Sequence, residues 1–189
     1  MGSGQLEISA DLALPVDAVT EAFAIVGQRG AGKTVMAKVL AEEMAEALQP
    51  VCVLDPLGVW WGLRSSADGK GPGKPYVILG GDHADVPLEP RGGEVVADFV
   101  VDEPAWTIVD LSHFRKAEMR RFATAFLSRV YHRNRHPLHL IVDEADLFAP
   151  QQKQKEETEL LGAMEDIVRR GRARGLGITM VSQRPAVLH

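Results

Sequence analysis

With 189 residues, 46% of them hydrophobic and 25% charged, the chain has the size and composition of one soluble globular domain with a full core. A net charge of −5 and a pI near 5.7 exclude a protein that coats nucleic acid through general basicity, leaving room only for a local basic patch. Cys52 is the single cysteine, which excludes an internal disulfide and points to a reducing, cytoplasmic setting. No apolar run is long enough to span a bilayer, no signal-peptide pattern opens the chain, and Leu6 stands where a myristoylation motif needs Ser or Thr.

In chain order, residues 5–20 read as a lead-in to a sheet, with a short alternation at Leu6-Glu7-Ile8 and a turn at Leu14-Pro15-Val16-Asp17. The apolar run Phe23 to Val26 then leads into Gly27-Gln28-Arg29-Gly30-Ala31-Gly32-Lys33-Thr34, which satisfies the phosphate-loop spacing at every fixed position. Glycines allow the backbone to curl so that several N–H groups point inward at a phosphate chain. The following helix, entered through Thr34 and Val35, adds its positive N-terminal end. Lys33 is the residue that reaches the β- and γ-phosphates of ATP, and Thr34 offers its hydroxyl to Mg²⁺. An ordinary strand-to-helix turn needs glycine but has no use for Gly-Lys-Thr at a helix entrance.

Met36, Val39, Leu40, Met44 and Leu48 recur at helical spacing until Gln49-Pro50. Val51 to Leu54 is apolar without alternation and ends at Asp55-Pro56, as a strand covered on both faces reads. Ser65 to Pro75, rich in Ser, Gly, Pro and Lys, reads as a mobile excursion. Trp60 and Trp61 read as packing beneath that loop, with stacking on a base or on adenine as the alternative, and Lys70 and Lys74 as solvated, with contact to DNA phosphates as theirs. Further strands are expected at Tyr76–Leu79, Trp106–Val109, Leu138–Val142 and Ile178–Val181. Helices are expected after Gly93, through Met119, Phe122, Phe126 and Val130 to about Arg133, and over Glu156–Arg170, with Leu160, Leu161, Met164, Ile167 and Val168 on one side. Strands alternating with helices imply an α/β fold with a largely parallel sheet flanked by helices.

The strand His139 to Val142 delivers Asp143 and Glu144 at its C-terminal tip, the edge where ligands bind in open α/β sheets. Asp143 suits Mg²⁺, directly or through water, and Glu144 suits the general base that polarises the water attacking the γ-phosphate. The letters Asp143-Glu144-Ala145-Asp146 also spell the box of one RNA helicase class, but the accompanying Ser-Ala-Thr motif and second domain are missing. Asp146 therefore reads as a turn or helix residue. His132, His136 and His139 would need a helix end, a loop and a strand start to converge before they could bind metal.

The stretch Arg169-Arg170-Gly171-Arg172-Ala173-Arg174-Gly175-Leu176-Gly177-Ile178-Thr179-Met180-Val181-Ser182-Gln183-Arg184-Pro185 resembles the signature of the HerA/FtsK group of P-loop ATPases. Leu54-Asp55-Pro56 with Gly58, and Ile108-Val109-Asp110-Leu111-Ser112, are similar to the HerA branch, so the resemblance runs from about Phe23 to Pro185. It implies a RecA-like core, hexameric homo-oligomers and ATP-driven movement along double-stranded DNA, with a nuclease or effector as a possible further partner and no membrane association. It also implies a strand ending at Gln183 between the phosphate-loop strand and the acidic strand, with Gln183 as a sensor of the γ-phosphate. Arg172 best matches the arginine finger, donated across a subunit boundary, with Arg169, Arg170 and Arg174 as alternatives and a solvated helix end as the plain reading. Family members carry an N-terminal barrel and continue past the glutamine motif, so residues 1–22 are expected to be a lead-in and residues 23–189 a C-terminally truncated ATPase core. The competing expectation is a nucleotide-gated interaction module that binds ATP, turns it over slowly and never moves DNA.

Overall fold

The computed structural model describes residues 4–66, 68–103, 105–148 and 155–183. The predicted strands are β3 (Ala22–Val26), β4 (Val51–Asp55), β5 (Val77–Leu79), β6 (Thr107–Asp110), β7 (Leu138–Val142) and β8 (Leu176–Ser182), after an initial β1 (Gln5–Ser9) and β2 (Leu12–Pro15). The helices are α1 (Lys33–Glu46), α2 (Gly93–Asp102), α3 (Lys116–Arg133) and α4 (Lys155–Arg170). Strands β3 to β8 form one six-stranded, wholly parallel sheet in the order β3-β8-β7-β4-β6-β5. The strand that ends beside Gln183 therefore does lie between the phosphate-loop strand and the acidic strand.

Successive residues of a strand point to opposite faces, and both faces of this sheet are covered, which is why its central strands carry no polar alternation. Cys52 and Leu54 of β4, with Leu138, Leu140 and Val142 of β7, join a core with α2, α3 and α4. Val51, Val53 and Ile141 point the other way, toward α1. On the first face α3 contributes Met119, Phe122, Ala123, Phe126, Leu127 and Val130, each such large side chain contributing roughly 1.5–3 kcal/mol by burial. Its start is fixed by the Glu118 carboxylate, which accepts the Arg115 backbone N–H at 2.8 Å. Gly93 lets α2 lie directly on α3, because a Cβ there would stand 2.6 Å from the Phe122 carbonyl oxygen.

On the other face the buried stripe of α1 is Ala37, Leu40, Ala41, Met44 and Ala45. Met36 and Leu48, expected on that stripe, are exposed at 44% and 78%. Small alanines bring the helix close to the sheet and rotate the buried stripe by about one position, and Leu48 leaves the helix in the left-handed region at φ 57°. Val168 likewise faces outward on α4, whose buried residues include Leu160, Ala163, Met164 and Ile167.

Residues 5–15 lie outside the main sheet. They form a separate antiparallel hairpin, β1 with β2, that lies on α1: the Glu7 N–H donates to Glu43 Oε2 at 2.8 Å, and Leu6 is fully buried with Leu40 and Met44. The Ser65–Pro75 stretch is no loose excursion either. Ser65 and Pro72 form an antiparallel bridge, Ser66 N donates to the Gly71 carbonyl at 2.9 Å, and Lys74 N donates to the Leu63 carbonyl at 2.8 Å. Its polar, glycine-rich composition serves backbone hydrogen bonding where little apolar surface is on offer.

Candidate nucleotide site

All the parallel strands end on one edge, and the loops after β3, β4, β7 and β8 enclose a cleft of about 610 Å³ there. Arg29, Gly30, Gly32, Lys33, Thr34 and Val35 line it from one side, and Glu144, Asp146, Leu147 and Gln183 from the other, with Leu57 between. Gly30 and Gly32 take φ values of 80° and 81°, a left-handed conformation that side-chain-bearing residues rarely adopt, so the loop needs glycine at both. Gly27, Gln28 and Ala31 complete the same loop, Ala31 N donating to the Gln28 carbonyl at 3.2 Å. Helix α1 starts with Gly32 as its N-cap, without a side-chain cap and without an acidic residue in its first turn. Its first N–H groups thus stay free for an anion, and the helix dipole favours one there. The Lys33 ammonium folds back across the loop to the Gln28 carbonyl at 3.1 Å.

Asp143 follows β7 and is 1% exposed. Its Oδ2 accepts the Thr34 hydroxyl at 3.3 Å and the Trp60 indole N–H at 2.9 Å, and its Oδ1 accepts the Glu144 backbone N–H at 2.9 Å. The Thr34 and Asp143 oxygens thus converge from chain positions far apart. Two hard oxygen donors side by side fit a small cation that keeps several waters and takes few protein ligands, as Mg²⁺ does. Among the described residues no cluster of three or more His, Cys, Asp or Glu could hold a metal ion, and Thr34 with Asp143 is the oxygen pair they bring together at the cleft.

Glu144 stands at the β7 tip with φ 43° and ψ 50°, a strained conformation for a residue with a side chain, and such strain concentrates where a side chain must be aimed. Its carboxylate accepts two hydrogen bonds from the Gln183 amide, at 3.3 and 3.2 Å. Asp146, in the turn Ala145–Leu147, accepts the Ser182 hydroxyl at 3.1 Å and so ties the β7 and β8 tips together.

Arg172 is elsewhere. It belongs to the turn Gly171–Arg174 that precedes β8, at the opposite edge of the sheet from the cleft, and pairs with Glu21 at 2.5 Å. From that edge it does not line its own chain's cleft. Arg170 pairs with Asp166 at 2.7 Å, and Arg174 lies 4.4 Å over the Tyr131 ring. Arg184 and Pro185 lie outside the described residues.

The three histidines do not converge. His132 and His136 are exposed, while His139 is fully buried between the Val19 carbonyl and the Thr179 hydroxyl, each 2.7 Å from a ring nitrogen. Burial lowers its pKa to about 4, so it is a neutral core residue. Burial pushes the Cys52 thiol up, as expected of an inert small hydrophobe. Lys74 pairs with Glu46.

Sequence reading missed Leu57, Leu147 and Asp146 as linings of the cleft, and above all Trp60 as the support behind Asp143. The only local signal for Trp60 is Asp55-Pro56-Leu57-Gly58, whose turn directs it. The buried Asp55 carboxylate accepts N–H groups from Leu57, Gly58 and Trp60 at 3.0, 2.9 and 2.8 Å. Burial raises the Asp55 pKa to about 6 against those hydrogen bonds.

Residues 3–66 match a protein-family model described as the central domain of the helicase HerA. No curated protein matches the chain. Among solved structures, the genome packaging NTPase B204 of Sulfolobus turreted icosahedral virus 2, in complex with ATP-gammaS, is 18% identical with a TM-score of 0.50, over 88% of this chain and 67% of B204. The pCW3 conjugation coupling protein TcpA, with ATPgS, is 15% identical with a TM-score of 0.47, over 92% of this chain and 45% of TcpA. The chain thus spans less than half of TcpA and about two thirds of B204. The B204 likeness shows a P-loop NTPase fold of the RecA-like kind, and over residues 3–66 the chain is similar to the HerA central domain.

Proposed function

We propose that the chain binds ATP with Mg²⁺ and hydrolyses it to drive movement along double-stranded DNA, as one subunit of a HerA/FtsK-type ring. The observation that carries this reading is the convergence of Lys33, Thr34, Asp143, Glu144 and Gln183 on one cleft at the C-terminal edge of the sheet. In it, the phosphate chain lies along the first turn of α1, and Lys33 exchanges the Gln28 carbonyl for phosphate oxygens. Thr34 and Asp143 would hold Mg²⁺, which would neutralise charge on the phosphates. Glu144 takes a proton from the attacking water, and Gln183, bonded to Glu144 when no phosphate is present, turns to the γ-phosphate. Arg172 acts on the cleft of the next subunit.

Hydrolysis by the chain, measured with and without duplex DNA, tests the motor. A DNA-stimulated rate supports it. A slow, DNA-indifferent rate favours an ATP-gated interaction module, which the net charge of −5 and the pairing of Arg170 and Arg172 with acidic residues make the second reading.

A further inference from the structure

We propose that Trp60 is a positioning residue for Asp143, and that its indole N–H sets how well the site takes up Mg²⁺ with a nucleotide. The inference rests on the nucleotide-site reading above and concerns a residue that lies outside the phosphate loop and the acidic strand.

A buried indole N–H needs an acceptor, and a buried carboxylate needs donors. Trp60 and Asp143 are 0% and 1% exposed, and each meets the other's need at 2.9 Å. The Asp143 oxygen that Trp60 holds is the one that also accepts the Thr34 hydroxyl. Thr34 can give an oxygen lone pair to a cation and still donate its hydrogen to Asp143. Of these two side-chain donors to that oxygen, Trp60 is the one that holds it without itself serving the cation. With the Glu144 N–H on Oδ1, the carboxylate is held at both ends and cannot swing as the cation arrives.

Trp60 is itself held from several directions. Asp55 fixes its backbone, as described above. Lys38, one helical turn beyond Thr34 on α1, donates to the Val59 carbonyl at 2.6 Å and lies 5.7 Å from the Trp60 ring centroid. Gly58 allows the turn, since it takes φ 69° and a Cβ there would stand 2.9 Å from Ser112 Oγ. The Asp55–Trp60 loop is thereby clamped between the phosphate-loop helix and β6, and Leu57 of the same loop lines the cleft. Residues that orient a metal-holding group act on metal affinity without touching the metal.

The test is Trp60→Phe, which keeps an aromatic ring and removes the N–H. Binding of a fluorescent ATP analogue is titrated with Mg²⁺, and separately measured in EDTA. The expected result is a Mg²⁺ half-saturation raised about 10-fold or more, with nucleotide affinity in EDTA within about 2-fold of the parent. An unchanged half-saturation in a folded variant overturns the inference. Because Trp60 is also a core residue, a second measurement uses the native chain. Its indole N–H resonances, from Trp60, Trp61 and Trp106, are distinguished through Trp61→Phe and Trp106→Phe. The Trp60 signal is expected to shift when Mg²⁺ is added to the nucleotide-bound chain, and to shift far less in Asp143→Ala. A Trp60 signal that ignores Mg²⁺ in a chain whose nucleotide affinity responds to it overturns the inference alone. A native chain whose nucleotide affinity ignores Mg²⁺ overturns the site reading with it.

Discussion

The Gln183 side-chain amide bridges both carboxylate oxygens of Glu144, joining the tips of β8 and β7 directly over the cleft. A general base held by an amide donor is not yet aligned on water, and the amide that holds it is the group best placed to sense what arrives beside it. Gln183→Ala should therefore lower kcat by about 10- to 100-fold while leaving nucleotide affinity nearly unchanged, the pattern of an interaction lost from the transition state. A loss confined to affinity would show that Gln183 only binds.

The arginine turn makes a prediction about pairs of subunits. Arg172 lies at the sheet edge away from its own cleft; on the proposed reading, Arg172→Ala and Glu144→Gln damage different halves of a shared site. Each variant alone should be nearly inactive, whereas an equimolar mixture should regain activity at about a quarter of its interfaces, those with an intact Arg172 facing an intact Glu144. Turnover assays on mixed and unmixed samples decide it. An Arg172→Ala chain with full activity would assign the turn to surface chemistry.

His139 predicts a pH dependence of stability. Its native pKa is lowered from 6.5 to about 4 by burial, so only the unfolded chain takes up the proton between those values. Stability from this residue is complete above about pH 6.5 and is lost as pH falls toward 4, amounting to about 3 kcal/mol in all. Asp55 works in the opposite sense. Its native pKa is raised to about 6, so its contribution is present at low pH and lost as pH rises through 6. Urea unfolding at pH 7 and pH 4.5 should show the stability gap between native chain and His139→Gln shrinking by about 2–3 kcal/mol at the lower pH. A gap that does not change with pH would place the His139 proton equilibrium outside the folded core.

How much of this was legible in the sequence depended on the range of the interaction. The strands β4, β6, β7 and β8 could be read from largely apolar runs, because strands covered on both faces keep few polar positions, here including the buried Thr107, His139 and Thr179. The phosphate loop and the Asp143-Glu144 tip were legible because each is a local pattern with a chemical reason for its spacing. The Trp60–Asp143 contact was not, since it joins residues 83 positions apart and nothing local distinguishes Trp60, fully buried, from its neighbour Trp61, 44% exposed and stacked on His83. The hairpin of residues 5–15 was not legible, because its short alternation carries no information on whether it pairs with the main sheet or with itself. The placement of Arg172 at the far edge follows only once α4 is known to run back across the sheet.

The central claim is that the cleft hydrolyses ATP through Glu144 to move DNA, and the most direct test is steady-state ATP hydrolysis by the native chain and by Glu144→Gln, each with and without duplex DNA. The account predicts turnover that requires Mg²⁺, rises with DNA and falls by about 10²-fold or more in the variant, which still binds nucleotide. Turnover that ignores DNA, or that survives in Glu144→Gln, would contradict it.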